Sequence, residues 1–172
     1  MSTRKANYIT LDELIDEVGS DVVRYFFNMR SITSHLNFDL DLAKKQSDEN
    51  PVFYLQYAYA RISSILRMTK EEGLESSLEN LNLLSTKEEQ NLLKKLFEFP
   101  EDVLYSAENY ETHRITIYLE ELAALFHRFY TECRIIGSEK NLAQARIALC
   151  MAIQTVLRNG LSILGVSAPE KM

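Results

Sequence analysis

The chain has 172 residues, 46% of them apolar and 26% charged, which is enough to bury a core as one domain or as one domain with a small appendage. It contains no apolar run of 18 residues and no charged-then-apolar leader, which excludes a membrane span and a signal peptide and leaves a soluble, cytoplasmic protein as the expectation. The formal net charge of -6 argues against charge-driven, non-specific nucleic-acid binding, but it is unevenly spread. Residues 1–69 carry 8 basic and 9 acidic side chains, 70–111 carry 4 and 11, and 112–172 carry 7 and 5. The acid is concentrated in the middle, so either end can still attract phosphate within a Debye length.

The chain opens Met1-Ser2-Thr3-Arg4-Lys5-Ala6-Asn7, a cationic loop of the kind that grips a polyphosphate. Thr10 with Glu13 then forms a capping box for a first helix, which Gly19-Ser20 breaks. A second helix is expected from Asp21 to Arg30, with Val22, Tyr25, Phe26 and Met29 at helical spacing, followed by an irregular stretch from Ser31 to Asp41. Asn50-Pro51 is a side-chain cap followed by proline at the first helical position, so a long helix should run from there to about Glu72. Ser76 to Ser85 reads as a loop with one helical turn. Thr86 and Glu89 cap a helix from Glu88 to Phe99, and Pro100 is expected to end it and start a shorter one. Thr112 precedes a long periodic stretch to Ile136, Gly137-Ser138 turns the chain, and a last helix runs from about Asn141 to Leu164, closed by Gly165. The expected fold class is therefore all-α, a helical bundle.

On the helix after Pro51, Val52, Leu55, Tyr59, Ile62 and Leu66 form the stripe that should enter the core. Tyr54, Tyr57 and Arg61 share a face roughly 140° away from it at 100° per residue. Two rings beside a guanidinium make a stacking platform for unstacked bases, with the cation available to phosphate. The other reading of such a face is cover by a partner helix, which would make the chain a helical protein-protein interaction module. On the later helix Ile115, Leu119, Leu122, Phe126, Phe129 and Cys133 form the buried stripe, with Tyr130 and Arg134 on its margin, one turn apart. Cys133 and Cys150 are expected as buried free thiols. His35, His113 and His127 show no spacing that suggests a metal or nucleophilic site. The pairs Glu88-Glu89 and Glu120-Glu121 read as solvated helix faces.

Several segments together resemble the C-terminal part of arginyl-tRNA synthetases. These are the opening Ser-Thr-Arg-Lys loop, Ser34-His-Leu-Asn-Phe-Asp-Leu-Asp-Leu-Ala43, Asn50-Pro-Val-Phe-Tyr-Leu-Gln-Tyr-Ala58 through Arg61, Leu122 to Arg134, Ala145 to Leu149, and Val156 to Met172. The resemblance covers essentially the whole chain and implies a helical anticodon-binding domain of the class I synthetase type, named DALR after its motif; Gln144-Ala-Arg-Ile fits that label loosely. It implies a division into residues 1–48, the end of the catalytic core, and 49–172, the anticodon-binding bundle. It places Tyr54, Tyr57, Arg61, Tyr130, Arg134 and Met172 against the anticodon loop of tRNA-Arg. It also places Lys5, with Ser2, Thr3 and Arg4, over the phosphates of ATP bound with Mg, although Ala6 stands where the family's loop has glycine. The implied partners are tRNA-Arg and the catalytic domain of the same polypeptide, with no DNA, no membrane and no metal site of the chain's own. Because the strand-glycine-helix unit of a nucleotide-binding domain is missing from this sequence, the chain alone is expected not to ligate arginine; the sequence leaves open whether Met1 is a native start, and the resemblance favours a truncation.

Overall fold

A computed structural model of the chain describes residues 9–172. Among the described residues there are seven α-helices and no strand: α1 (Leu11–Val18), α2 (Ser20–Asn28), α3 (Leu40–Ala43), α4 (Pro51–Glu71), α5 (Lys87–Asn109), α6 (His113–Glu132) and α7 (Lys140–Ile163), with one 3-10 turn at Leu81–Leu83. The all-α expectation holds. The four long helices form the bundle: α5 and α6 pair as a hairpin, and α4 packs on both α6 and α7. The expected stripes are its interior, with Val52, Leu55 and Ile62 of α4 and Leu119, Leu122, Phe126 and Phe129 of α6 all 1% exposed or less. Leu66 is only partly buried, and Ile65 takes the core position beside it. Both cysteines are buried and free, and burial pushes the Cys150 thiol up to about 12.

Local signals account for most of the helix starts. Capping boxes form at Thr10 with Glu13 and at Thr86 with Glu89. The Asn50 side chain accepts from the Val52 amide (3.1 Å) and donates to the carbonyls of Ala43 (3.1 Å) and Lys45 (2.9 Å), so one buried amide joins the end of α3 to the start of α4. α3 itself lies where the end of the irregular stretch was expected, and is started by Asp39, whose carboxylate accepts from the Leu42 amide. Gly165, at φ +70°, reverses the chain after α7, with the Val166 amide donating back to Leu161.

Pro100 does not end a helix. α5 passes through it without a break in helical assignment, although a proline inside a helix removes one hydrogen bond and costs about 3 kcal/mol. The reason lies in the apolar period, which continues across the proline: Leu92, Leu96, Phe99, Val103 and Ser106 recur at helical spacing, and all are buried or packed against the core. Burying that face along α6 outweighs the lost bond, and Pro100 itself faces solvent.

Two of the acids expected on solvated faces are inside. Glu89 is 0% exposed and receives the Nε of Arg146, itself buried on α7, at 2.7 Å. The same carboxylate accepts from the Thr86 amide at 2.9 Å, and the Arg146 Nη1 donates to the carbonyl of Arg134. Burial alone would raise the Glu89 carboxyl, but the hydrogen bonds from Thr86 and Arg146 outweigh it and hold it below its ordinary value. Glu120 is half-buried and accepts from the Tyr25 hydroxyl at 2.8 Å, with burial raising its carboxyl. The periodicity was right about helix and wrong about face, because each carboxylate has a donor from another element.

Breaking a buried pair leaves an uncompensated charge and costs about 3–5 kcal/mol. Arg146→Ala should therefore lower the melting temperature by about 10 °C. Glu89→Gln should also melt lower than wild type at pH 7. Since the folded Glu89 carboxyl lies below its ordinary 4.5, its contribution is complete above that value and is lost as pH falls through the folded value. The gap to wild type should narrow below pH 4.5, as measured by urea titration at stepped pH.

Candidate nucleic-acid interface

α4 enters the bundle on Val52, Leu55, Tyr59 and Ile62, which turns Phe53, Tyr57 and Arg61, spaced four apart, to the outside. The Tyr57 ring is 39% exposed and lies nearly parallel to Phe53, with centroids 6.4 Å apart and an interplanar angle of 7°. From α6, Tyr130 is 37% exposed and comes alongside. The Arg61 guanidinium carbon sits 4.8 Å from the centroid of Tyr130 and 5.5 Å from that of Tyr57, within the range of cation–π attraction. Arg61 has no carboxylate partner among the described residues. The result is two accessible aromatic faces and a cation held between them.

Tyr54 differs from the sequence expectation. It is half-buried and packed against the core, with its ring 4.8 Å from that of His127. Burial, reinforced by Asp48 and opposed by Arg128, keeps its phenol neutral well past physiological pH. His127 lies under the same platform, 6.0 Å from Tyr57 at an interplanar angle of 20°. Its Nε2 is buried and has no hydrogen-bond partner. Burial first, and the Arg61 charge second, lower its pKa, so the ring is neutral at pH 7. From sequence, His127 was considered only as a metal or nucleophilic residue, and neither it nor Phe53 had a place in the platform. The available signal was spacing: His127 precedes Tyr130 by three residues and Phe53 precedes Tyr57 by four.

Arg134 is not one helical turn beyond Tyr130. α6 stops at Glu132, and Cys133 is extended at φ -116°, ψ 107°. Cys133 and Ile135 are buried and Arg134 between them is exposed, the alternation of an extended segment, and the Arg146 guanidinium holds its carbonyl. Arg134 lines a cleft of about 550 Å³ with Tyr130, Ile65, Met68, Ile135 and Ile136. Met172 is 55% exposed and lines a second cleft of about 460 Å³ with Phe53, Gln56, Lys44 and Lys45. The C-terminal segment is held there by Ser167, whose amide donates to Asp21 (3.1 Å) and whose carbonyl accepts from Gln56 (3.1 Å). Tyr57, Arg61 and Tyr130 thus meet directly, Tyr54 joins through His127, Met172 through Phe53, and Arg134 borders Tyr130. Ser2, Thr3, Arg4, Lys5 and Ala6 lie outside the described residues.

The DALR anticodon binding domain family matches residues 55–172. The chain is 51% identical to an arginine–tRNA ligase of Symbiobacterium thermophilum over all of this chain and 31% of that protein. It superimposes on a candidate arginyl-tRNA synthetase of Campylobacter jejuni with a TM-score of 0.83 (29% identity, 97% of this chain, 36% of that one), and on the Thermus thermophilus arginyl-tRNA synthetase with 0.78 (28% identity, 99% and 29%). The chain spans about a third of the length of the curated relatives it matches.

The platform side chains stand outside the core, so their removal should affect binding more than folding. Tyr57→Ala should shift the melting temperature by no more than about 2 °C, as for a surface change within about 0.5 kcal/mol. Leu55→Ala, two residues away in the core, should cost about 2–5 kcal/mol. Thermal denaturation of the two variants side by side measures the contrast.

Proposed function

The chain belongs to the arginyl-tRNA synthetase family through its DALR anticodon-binding domain, and on that premise we propose that the face formed by Tyr57, Arg61 and Tyr130 receives unstacked bases of the anticodon loop of tRNA-Arg. The observation that carries this reading is the Arg61 guanidinium lying against both rings with no carboxylate partner among the described residues. Each exposed ring face accepts a base by stacking, worth about 1–3 kcal/mol. The guanidinium remains available to a phosphate or a base edge. Tyr54 supports the platform from its half-buried position. Arg134 and Met172, each on a cleft bordering the rings, extend the contact surface in two directions along the RNA.

In the whole ligase this domain holds the anticodon end while a catalytic domain of the same polypeptide joins arginine to the acceptor end in the cytoplasm, using ATP and Mg. Residues 1–48 are the end of that catalytic core, of which α2 rests on the bundle through Tyr25 and through Arg24, which donates to the Gly165 carbonyl at 2.8 Å. Lys5, with Ser2, Thr3 and Arg4, closes over the ATP phosphates. Among the described residues no group of three His, Cys, Asp or Glu side chains is placed to hold a metal ion.

Titration of the 172-residue chain at low salt with tRNA-Arg, and with the same tRNA altered at the middle anticodon base, tests the reading. The expected result is weaker binding of the altered tRNA, and an affinity loss of about tenfold for Tyr57→Ala and for Tyr130→Ala, the equivalent of one stacked base. Equal binding of the two tRNAs would sink the anticodon reading and favour a protein-interaction face instead. Low salt matters because phosphate contacts weaken steeply as salt rises.

A further inference from the structure

The platform is supported by a group with no assigned part in binding. The His127 ring touches Tyr54 at 4.8 Å and Tyr57 at 6.0 Å, and packs on Phe126 of its own helix at 5.5 Å. Among the described residues its side chain makes no hydrogen bond, and its buried Nε2 has no partner. A histidine kept only for its polarity would have found a partner. What it contributes instead is a flat ring wedged between two tyrosines. The titratable and charged groups facing it are Tyr54, Tyr57 and Arg61 from α4, with Arg128 adjoining on α6; Asp48 acts on Tyr54, and no carboxylate pairs with His127 among the described residues.

We propose, resting on the RNA-binding reading of this face, that His127 is its positioning residue: as a neutral ring it holds Tyr54 and Tyr57 in place to receive bases, and when protonated it repels Arg61 from the Tyr57 and Tyr130 rings and loosens the platform. The physical basis is the placement of a second cation next to one that already lacks an acid. A like charge in a partly buried site is screened little by salt, and the cheapest relief is for the long Arg61 side chain to swing into solvent. That movement removes the guanidinium from both rings. The direction of the shift at His127, lowered by burial and by Arg61, agrees with this coupling. RNA affinity should then fall as the solution is acidified below the ordinary histidine value of 6.5 and His127 takes up its proton, against the usual trend in which a protein gaining positive charge binds polyanions better.

Two measurements test this on the 172-residue chain. In the first, tRNA-Arg is titrated at fixed low salt between pH 7.5 and 5.0 with wild type, His127→Phe and His127→Ala. Phenylalanine keeps a flat ring, cannot be protonated and removes the unpaired Nε2, so it should melt no lower than wild type and recover most of the affinity that alanine loses. Alanine should bind about tenfold more weakly at pH 7.5. Wild type should lose about tenfold relative to His127→Phe on going to pH 5.0. Superimposable pH profiles for wild type and His127→Phe, or wild-type affinity in His127→Ala, would overturn the proposal. In the second, NMR follows His127, the Arg61 side chain and the Tyr57 ring through the same pH range without RNA. A shared midpoint is expected. Arg61 and Tyr57 resonances that stay still while His127 titrates would refute the coupling, whereas failure of wild type to bind tRNA at any pH beside an intact shared midpoint would place the fault in the RNA reading.

Discussion

The Glu89–Arg146 pair ties together three parts of the bundle that local sequence does not connect. One carboxylate closes the capping box at the start of α5 and takes a guanidinium from α7, and that guanidinium reaches on to the carbonyl of Arg134 where the chain leaves α6. Burying two charges is expensive unless every donor and acceptor is used. Here the Thr86 amide adds a second donor to the carboxylate and the Arg134 carbonyl a second acceptor to the guanidinium. The arrangement also has a functional consequence. By fixing the extended exit from α6, it determines where Arg134 points and shapes the cleft beside Tyr130.

The binding face shows a second kind of constraint, one of access. A ring useful for stacking must be exposed on one side and supported on the other. Tyr57 meets the requirement through Phe53 and His127, and Tyr130 through Phe126 at 6.1 Å. Arg61, partly exposed, adds a positive charge between the two rings. The middle of the chain, where acid is in excess, supplies α5, and no α5 residue lines either of the clefts that border the platform. A protein with net charge -6 can therefore present a cationic aromatic face without being a general polyanion binder.

The C-terminal segment is integrated with the helices before α4. Arg24 and Asp21 of α2 and Gln56 of α4 converge on Gly165 and Ser167, which carries the chain end back to the first turns of α4. Met172 reaches the cleft beside Phe53 by this route. A terminal residue with no such ties would be expected to fray. Its placement beside the aromatic face depends on contacts between residues more than a hundred positions apart.

Much of this was legible in the sequence. Capping boxes at Thr10 and Thr86, the Asn50-Pro51 start and the glycine stops are local devices whose partners lie within a few residues, and they bounded most helices correctly. The 3.6-residue period separated the α4 core stripe from Tyr57 and Arg61, because a helix presents its faces by geometry alone. Pro100, Glu89, Tyr54 and Arg134 were misjudged for a common reason: each was decided by another element. Packing along α6 carried α5 through the proline, Arg146 drew Glu89 inside, His127 drew Tyr54 half under cover, and the buried neighbours Cys133 and Ile135 stretched the backbone at Arg134. Sequence by itself determined where most of the helices start and which side of α4 carries Tyr57 and Arg61, since both follow from interactions one turn long. Only the tertiary structure decided that Tyr57 and Arg61 of α4 meet Tyr130 and His127 of α6, because proximity between two helices is a property of how they pack, while spacing shows only which residues share a face of one helix.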